Sequence, residues 1–133
     1  AGARTPFDWL SRDPAEVEAY ADDPLCGFAP SVSMWLDVLE FAGRGGRKAQ
    51  LARLRKDLPV HLLGGGADPA TRNGAAIDWL ARRMRALGMT GVTSTIHPNM
   101  RHETLNEIGR EAAMTAFADW ADAVTAHQQG AHP

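Results

Sequence analysis

A chain of 133 residues, 44% hydrophobic and 23% charged, has the length of one domain and the profile of a globular rather than a disordered protein. Fourteen basic against sixteen acidic side chains leave a net charge of -2, which gives no basic footprint for nucleic acid. The one cysteine, Cys26, excludes an internal disulfide and suits a reducing, cytoplasmic setting, and no apolar run approaches the roughly 20 residues of a membrane span.

The opening stretch, AGARTPFDWL, begins without Met and lacks a signal peptide's apolar region. In SRDPAEVEAYADD a helix start is encoded: Asp13 as N-cap, Pro14 at the first helical position, and Glu16 three residues after the cap. PLCGFAP is a Pro/Gly-punctuated connector, in which Cys26 reads as a small filler because no nucleophile motif surrounds it. SVSMWLDVLEF predicts a helix started by Ser31 and Ser33, with Met34, Val38 and Phe41 on one stripe and Trp35 and Leu39 beside it. GRGG ends that helix, and RKAQLARLRKDL predicts a short one with Leu51, Leu54 and Leu58 facing inward. The cations from Arg44 to Lys56 then read as a solvated helix side rather than a phosphate or membrane patch. Residues 1–57 therefore carry helical signals and no strand.

After Pro59 the pattern changes. VHLLGG is short, apolar and Gly-terminated, as expected of a strand buried on both sides in a parallel sheet. RNGAAIDWLARRMRALG predicts an amphipathic helix on Ile77, Leu80, Met84 and Leu87, closed by Gly88. VTSTIH is a second, β-branched strand. A Pro/Asn loop leads from it to His102, and EIGREAAMTAFADWADAVTAH predicts a closing helix with Met114, Phe117, Ala121 and Val124 aligned. Strand, helix, strand, helix implies a parallel pair joined by a crossover. Two parallel strands do not make a stable sheet alone, so the expectation is an α/β fold whose remaining strands come from upstream sequence or another chain.

In open α/β sheets, ligands bind beyond the carboxyl ends of the strands. Asp68 follows one such end, after Gly64-Gly65-Gly66, a run expected to let the backbone turn sharply; His102 follows the other. A carboxylate that holds a His ring in one tautomer lets it take a proton from a hydroxyl, and the order acid then His matches Ser…Asp…His. On spacing alone, an Asp there equally suits capping the next helix, and a lone His a structural role. HETLN also comes within one residue of the zincin pattern H-E-x-x-H. Asn106 occupies the place of the second His, so no metal site is expected.

GGGADPATRNGAAIDWLARRMRALG followed by HPNMRHETLNEIGREAAMTAFADW resembles the C-terminal end of the α/β-hydrolase superfamily. The branch it resembles holds lysophospholipase and monoacylglycerol-lipase-like serine hydrolases, often described as serine-aminopeptidase-type. There the acid sits in a G-x-x-D-P-like turn, here Gly65-Gly66-Ala67-Asp68-Pro69, and the His in a segment like Met100-Arg101-His102-Glu103. FDWLSRDPAEVEAYADDPLCGF is similar to the lid region of bacterial members, and the resemblance spans about residues 4–122.

The resemblance implies a helical lid or cap over 1–57 and the last strand–helix–strand–helix part of a hydrolase core over 58–133. It implies Asp68 and His102 as catalytic acid and base of a carboxylic ester hydrolase, acting on a lipid-like or other acyl ester without metal or organic cofactor. Core packing is the default for Trp9 and Trp35, but in a lid Phe7, Trp9, Phe28 and Trp35 would line an apolar acyl pocket. Glu103 reads as a local hydrogen-bonding residue rather than a second acid.

The departure lies in the nucleophile. None of the four serines, Ser11, Ser31, Ser33 and Ser94, sits in the G-x-S-x-G elbow that the branch requires, so the elbow and oxyanion loop are expected upstream of residue 1, in a partner half. Two other readings stay open: an Asp nucleophile, giving dehalogenase or epoxide-hydrolase chemistry, and a non-catalytic fragment or module that pairs through its strand edges.

Overall fold

The computed structural model describes residues 4–129. Helices α1 (Pro14–Asp22) and α2 (Val32–Gly45) and the single turn α3 (Lys48–Leu51) come first. Strand β1 (Val60–Gly65), α4 (Ala75–Ala86), β2 (Val92–His97), a 3-10 turn (Thr104–Asn106) and α5 (Arg110–Gln129) follow. β1 and β2 pair in parallel, in register from Val60 opposite Val92 to Gly65 opposite His97. Both strands therefore end level, and the segments leaving them are neighbours.

Local chemistry explains most element ends. Asp13 caps α1 by accepting from the Ala15 N–H at 3.0 Å, with Pro14 at the first helical position, where its missing N–H costs nothing. The expected capping box does not close. Glu16 turns instead to Arg110 of α5, 2.5 Å away, while the Asp13 N–H donates to Ser11 Oγ at 3.0 Å. Ser31 caps α2 through the Met34 N–H at 3.1 Å. Helix α4 closes on Gly88 at φ +87°, where the Met89 N–H reaches Met84 O and the Gly88 N–H reaches Arg85 O, a Schellman ending.

Three expectations change. The helix foreseen over 47–58 is one turn long. Leu58 precedes Pro59 and is steered out of helical geometry, and Lys56 O accepts from the Thr90 N–H at 2.8 Å, tying this segment to the approach to β2. Of its three leucines, Leu51 is buried, Leu58 half-buried and Leu54 exposed. Second, β1 is half-buried from Val60 to Leu63 and buried only at Gly64 and Gly65, because among the described residues it has a partner on one edge alone. Third, no residue of α2 is buried, although the stripe foreseen on it is present; Trp35 is 51% and Phe41 80% exposed.

The core gathers Leu51, Ala81, Met84, Met89 and Val92, with Leu58, Val60, Leu62, Leu80 and Leu87 packed against them. It anchors α4 beneath the sheet and so fixes the turn that leads out of β1. Among the described residues, no helix is long and apolar enough to cross a membrane.

Candidate active site

The site forms where the two strands end. The Gly66 N–H donates to His97 O at 2.7 Å and the Ala67 N–H to Met100 O at 2.9 Å, stitching the turn after β1 to the loop after β2. The chain turns here as expected, the Asp68 N–H donating to Gly65 O at 3.4 Å, but the glycines also serve a second purpose. None of Gly64, Gly65 and Gly66 adopts a left-handed backbone. A Cβ on Gly65 would instead meet the carbonyl oxygens of Met100 and Arg101 well inside 3.0 Å, and one on Gly66 would meet Pro98 O at 2.7 Å. The glycines let the loop that carries His102 lie directly on the strand end.

The left-handed residues come later. Arg72, Asn73 and Gly74 have φ of 54°, 56° and 84°, so the chain reverses there before α4 begins. The Asn73 N–H donates to Asp68 O at 2.7 Å and the Ala76 N–H to Thr71 O at 3.0 Å, which fixes the turn around the acid.

Asp68 is only 1% exposed. Its Oδ1 accepts from the Ala70 N–H at 2.9 Å, and its Oδ2 accepts from Thr71 Oγ1 at 2.8 Å and lies 3.1 Å from His102 Nδ1. Burial pushes this carboxyl up, but the hydrogen bonds from His102, Thr71 and Ala70 together outweigh it and hold it below the usual carboxylate range. An ionised carboxylate only accepts, so Nδ1 carries the proton and the lone pair stands on Nε2. The His102 side chain is 41% exposed, and its ring lies tilted against Trp9 with centroids 4.8 Å apart. The arrangement can take a proton from a hydroxyl at Nε2 and stabilise the resulting imidazolium through the buried carboxylate.

Of the four aromatics singled out in the sequence, Trp9 touches His102. Phe7 packs on Tyr20, ring centroids 5.0 Å apart, below Gly27; Phe28 and Trp35 are exposed. Glu103 accepts from Asn106 Nδ2 at 2.9 Å, a local bond at the position where a zincin would need its second His. The four serines are placed elsewhere: Ser11 is buried and donates to Asn106 O at 2.8 Å, Ser31 caps α2, Ser33 lies in the first turn of α2 with its Oγ 3.0 Å from that of Ser31, and Ser94 lies within β2 opposite Leu62. Among the described residues, no serine hydroxyl is hydrogen-bonded to His102.

Sequence reasoning missed Thr71 and Glu107. Thr71 stands three residues after Asp68, the spacing at which a hydroxyl reaches back to a turn-forming Asp, and that was the available signal. Glu107 looked like the first turn of the closing helix. Gly109, at φ +83°, separates it from α5 and leaves its side chain fully buried in the loop.

Among proteins of known structure, the chain is similar to a highly thermostable carboxyl esterase from Bacillus coagulans, solved in complex with glycerol. The two superpose with a TM-score of 0.84 at 21% identity, over 92% of this chain and 40% of that one. This chain thus spans well under half the length of the esterase whose fold it shares. No curated protein matches it. The family model for serine aminopeptidase, S33, matches residues 2–109. With that match over most of its length, the chain belongs to the serine aminopeptidase S33 family of α/β-hydrolases and forms a C-terminal portion of that fold.

Proposed function

We propose that this chain supplies the acid and the base of a serine ester hydrolase whose nucleophile lies outside these 133 residues. The observation that carries the reading is the buried Asp68 carboxylate 3.1 Å from Nδ1 of a half-exposed His102, at the level ends of two paired parallel strands. In the complete hydrolase, meaning this chain joined to the half that bears the elbow, a Ser hydroxyl attacks the ester carbonyl. His102 Nε2 takes the Ser proton and later gives it to the leaving alkoxide, while Asp68 holds the ring and stabilises its charge. Membership in a family named for serine enzymes supports Ser over Asp as nucleophile.

Residues 1–57 serve as the cap and 58–133 as the end of the core. The exposed stripe of α2 supports an acyl-ester or lipid-like substrate, with Phe7, Trp9, Phe28 and Trp35 around its chain. The lone cysteine supports a cytoplasmic location.

The reading is tested with p-nitrophenyl esters. A His–Asp pair without a positioned hydroxyl gives only general-base help to water, about 10²–10⁴-fold, whereas enzymes reach at least about 10⁶-fold. The 133-residue chain by itself is expected to stay at or below that general-base level and to form no acyl-enzyme, and the complete hydrolase to turn over many times. Sustained turnover by the short chain would mean that it holds a nucleophile of its own.

A further inference from the structure

The most deeply buried charge outside the Asp68–His102 pair is Glu107, whose side chain is 0% exposed. It lies five residues after His102 and touches none of the atoms that the proposed reaction uses. Both of its oxygens are fully employed. Oε1 accepts the Arg101 N–H at 2.7 Å and the Arg12 N–H at 3.0 Å. Oε2 accepts Arg12 Nε at 2.9 Å and the Ile108 N–H at 3.0 Å.

Two of those donors belong to residue 12, just before α1, and one to Arg101, the residue before His102. One carboxylate thus joins the segment leading into α1 to the backbone of the His loop. The same two segments are bound elsewhere. Arg101 Nη1 donates to Asp8 O and, at 3.0 Å, to Ser11 O. The Glu103 N–H reaches Leu10 O at 2.9 Å, and the His102 N–H reaches Trp9 O at 3.4 Å. Residues 8–12 therefore lie as a strap across the loop, and the strap presents Trp9 to the His102 ring.

The His loop has no regular structure of its own to hold it. Asp68 fixes the ring at one atom only, so the ring's position depends on the backbone at 101–103. We infer that Glu107 is a positioning residue for His102. Paired with Arg12, its carboxylate latches the strap to the loop, sets where Nε2 points, and couples the chain before α1 to the proton-transfer step. An amide at this position would meet four donors with a single acceptor oxygen and would release one of the two segments.

The inference rests on His102 being the base, and the experiment separates the two. In the complete hydrolase, kcat and KM are measured on a p-nitrophenyl ester for wild type, Glu107→Gln, Arg12→Met, Arg12→Lys and His102→Ala. The downfield proton resonance of the His102 Nδ1–H is recorded for the same set. Displacing a catalytic group by about 1 Å costs up to about 10²-fold in rate. Glu107→Gln and Arg12→Met are therefore expected to lower kcat by roughly 10- to 10²-fold with KM within about twofold, and to shift or broaden the Nδ1–H resonance. Arg12→Lys, which keeps its backbone N–H and a charge beside Oε2, is expected to recover part of the rate. Arg12 is one-third exposed, and Arg12→Lys leaves Glu107 with a cation beside it, so Arg12→Lys, expected to lose part of the rate, carries the test if Glu107→Gln and Arg12→Met do not fold. Unchanged kcat and resonance in the folded variants, with His102→Ala inactive, would overturn the positioning role alone. Full activity of His102→Ala would overturn the reading on which it rests.

Discussion

In the complete hydrolase, Asp68→Asn is expected to lower kcat about 10⁴-fold without unfolding the protein, the loss that follows when a triad His is left in the wrong tautomer. The hydrogen bonds around Asp68 explain why the change is not repaired locally. Oδ1 has one donor, the Ala70 N–H, and Oδ2 faces Thr71 Oγ1 and His102 Nδ1. An Asn satisfies the Ala70 N–H with its oxygen and turns its NH₂ toward Thr71 and His102. Thr71 can rotate its hydroxyl and accept, since its proton also has Asp68 O within 3.4 Å. His102 can then accept only at Nδ1, which moves its own proton to Nε2, the atom that must act as base. Every bond is made, and the base is lost. His102→Ala removes the base outright and is expected to cost at least about 10²–10⁴-fold. Steady-state kinetics on a p-nitrophenyl ester, with circular dichroism to confirm folding, checks both. An Asp68→Asn enzyme within tenfold of wild type would show that the carboxylate does not set the tautomer.

Gly65→Ala is expected to be the most damaging single methyl in the chain. Its Cβ would fall on the carbonyls of Met100 and Arg101, which are backbone and cannot swing aside as a side chain would. Either β1 separates from β2 at its end or the His loop lifts away. Overpacking typically costs about 1–3 kcal/mol and more where backbone must move, so a loss of at least about 3 kcal/mol is expected, with His102 displaced from Asp68. Gly43→Ala is the contrasting case. It lies within α2 with nothing within 4 Å of the new methyl, and an open helical site is expected to gain about 0.4–1 kcal/mol. Urea unfolding of both variants measures the difference; a Gly65→Ala protein as stable as wild type would mean that the loop does not rest on the strand end.

Much of this was legible in the chain because two kinds of signal were strong. The runs VHLLGG and VTSTIH are short, apolar or β-branched, and bounded by Pro, Gly or a polar loop, and both strands span those six residues. The starts of α1 and α2 followed from Asp13-Pro14 and Ser31, and the close of α4 from Gly88. The juxtaposition of Asp68 and His102 followed from parallel pairing, since strands in register bring their exits together. What was missed depended on distant partners. Glu16 had the right spacing for a capping box, yet Arg110, far along the chain, offered it an ion pair. RKAQLARLRKDL had helical periodicity throughout, but Pro59 and the Thr90–Lys56 bond ended it early. Glu107 was read only as the first residue of the closing helix, because nothing local announces a residue whose donors lie at position 12. The glycine run was read as a turn, and a turn does follow β1, but the close approach of the His loop went unread, since a second segment leaves no trace in the first.

The most direct measurement is the site of covalent capture by a fluorophosphonate, which reacts with an activated serine and is then located by mass spectrometry of the complete hydrolase. The expected adduct is on one serine outside residues 1–133, formed in wild type and reduced at least about 10²-fold in His102→Ala, the usual scale of a general base. An adduct on Ser11, Ser31, Ser33 or Ser94, or labelling that does not change when His102 is removed, would contradict it.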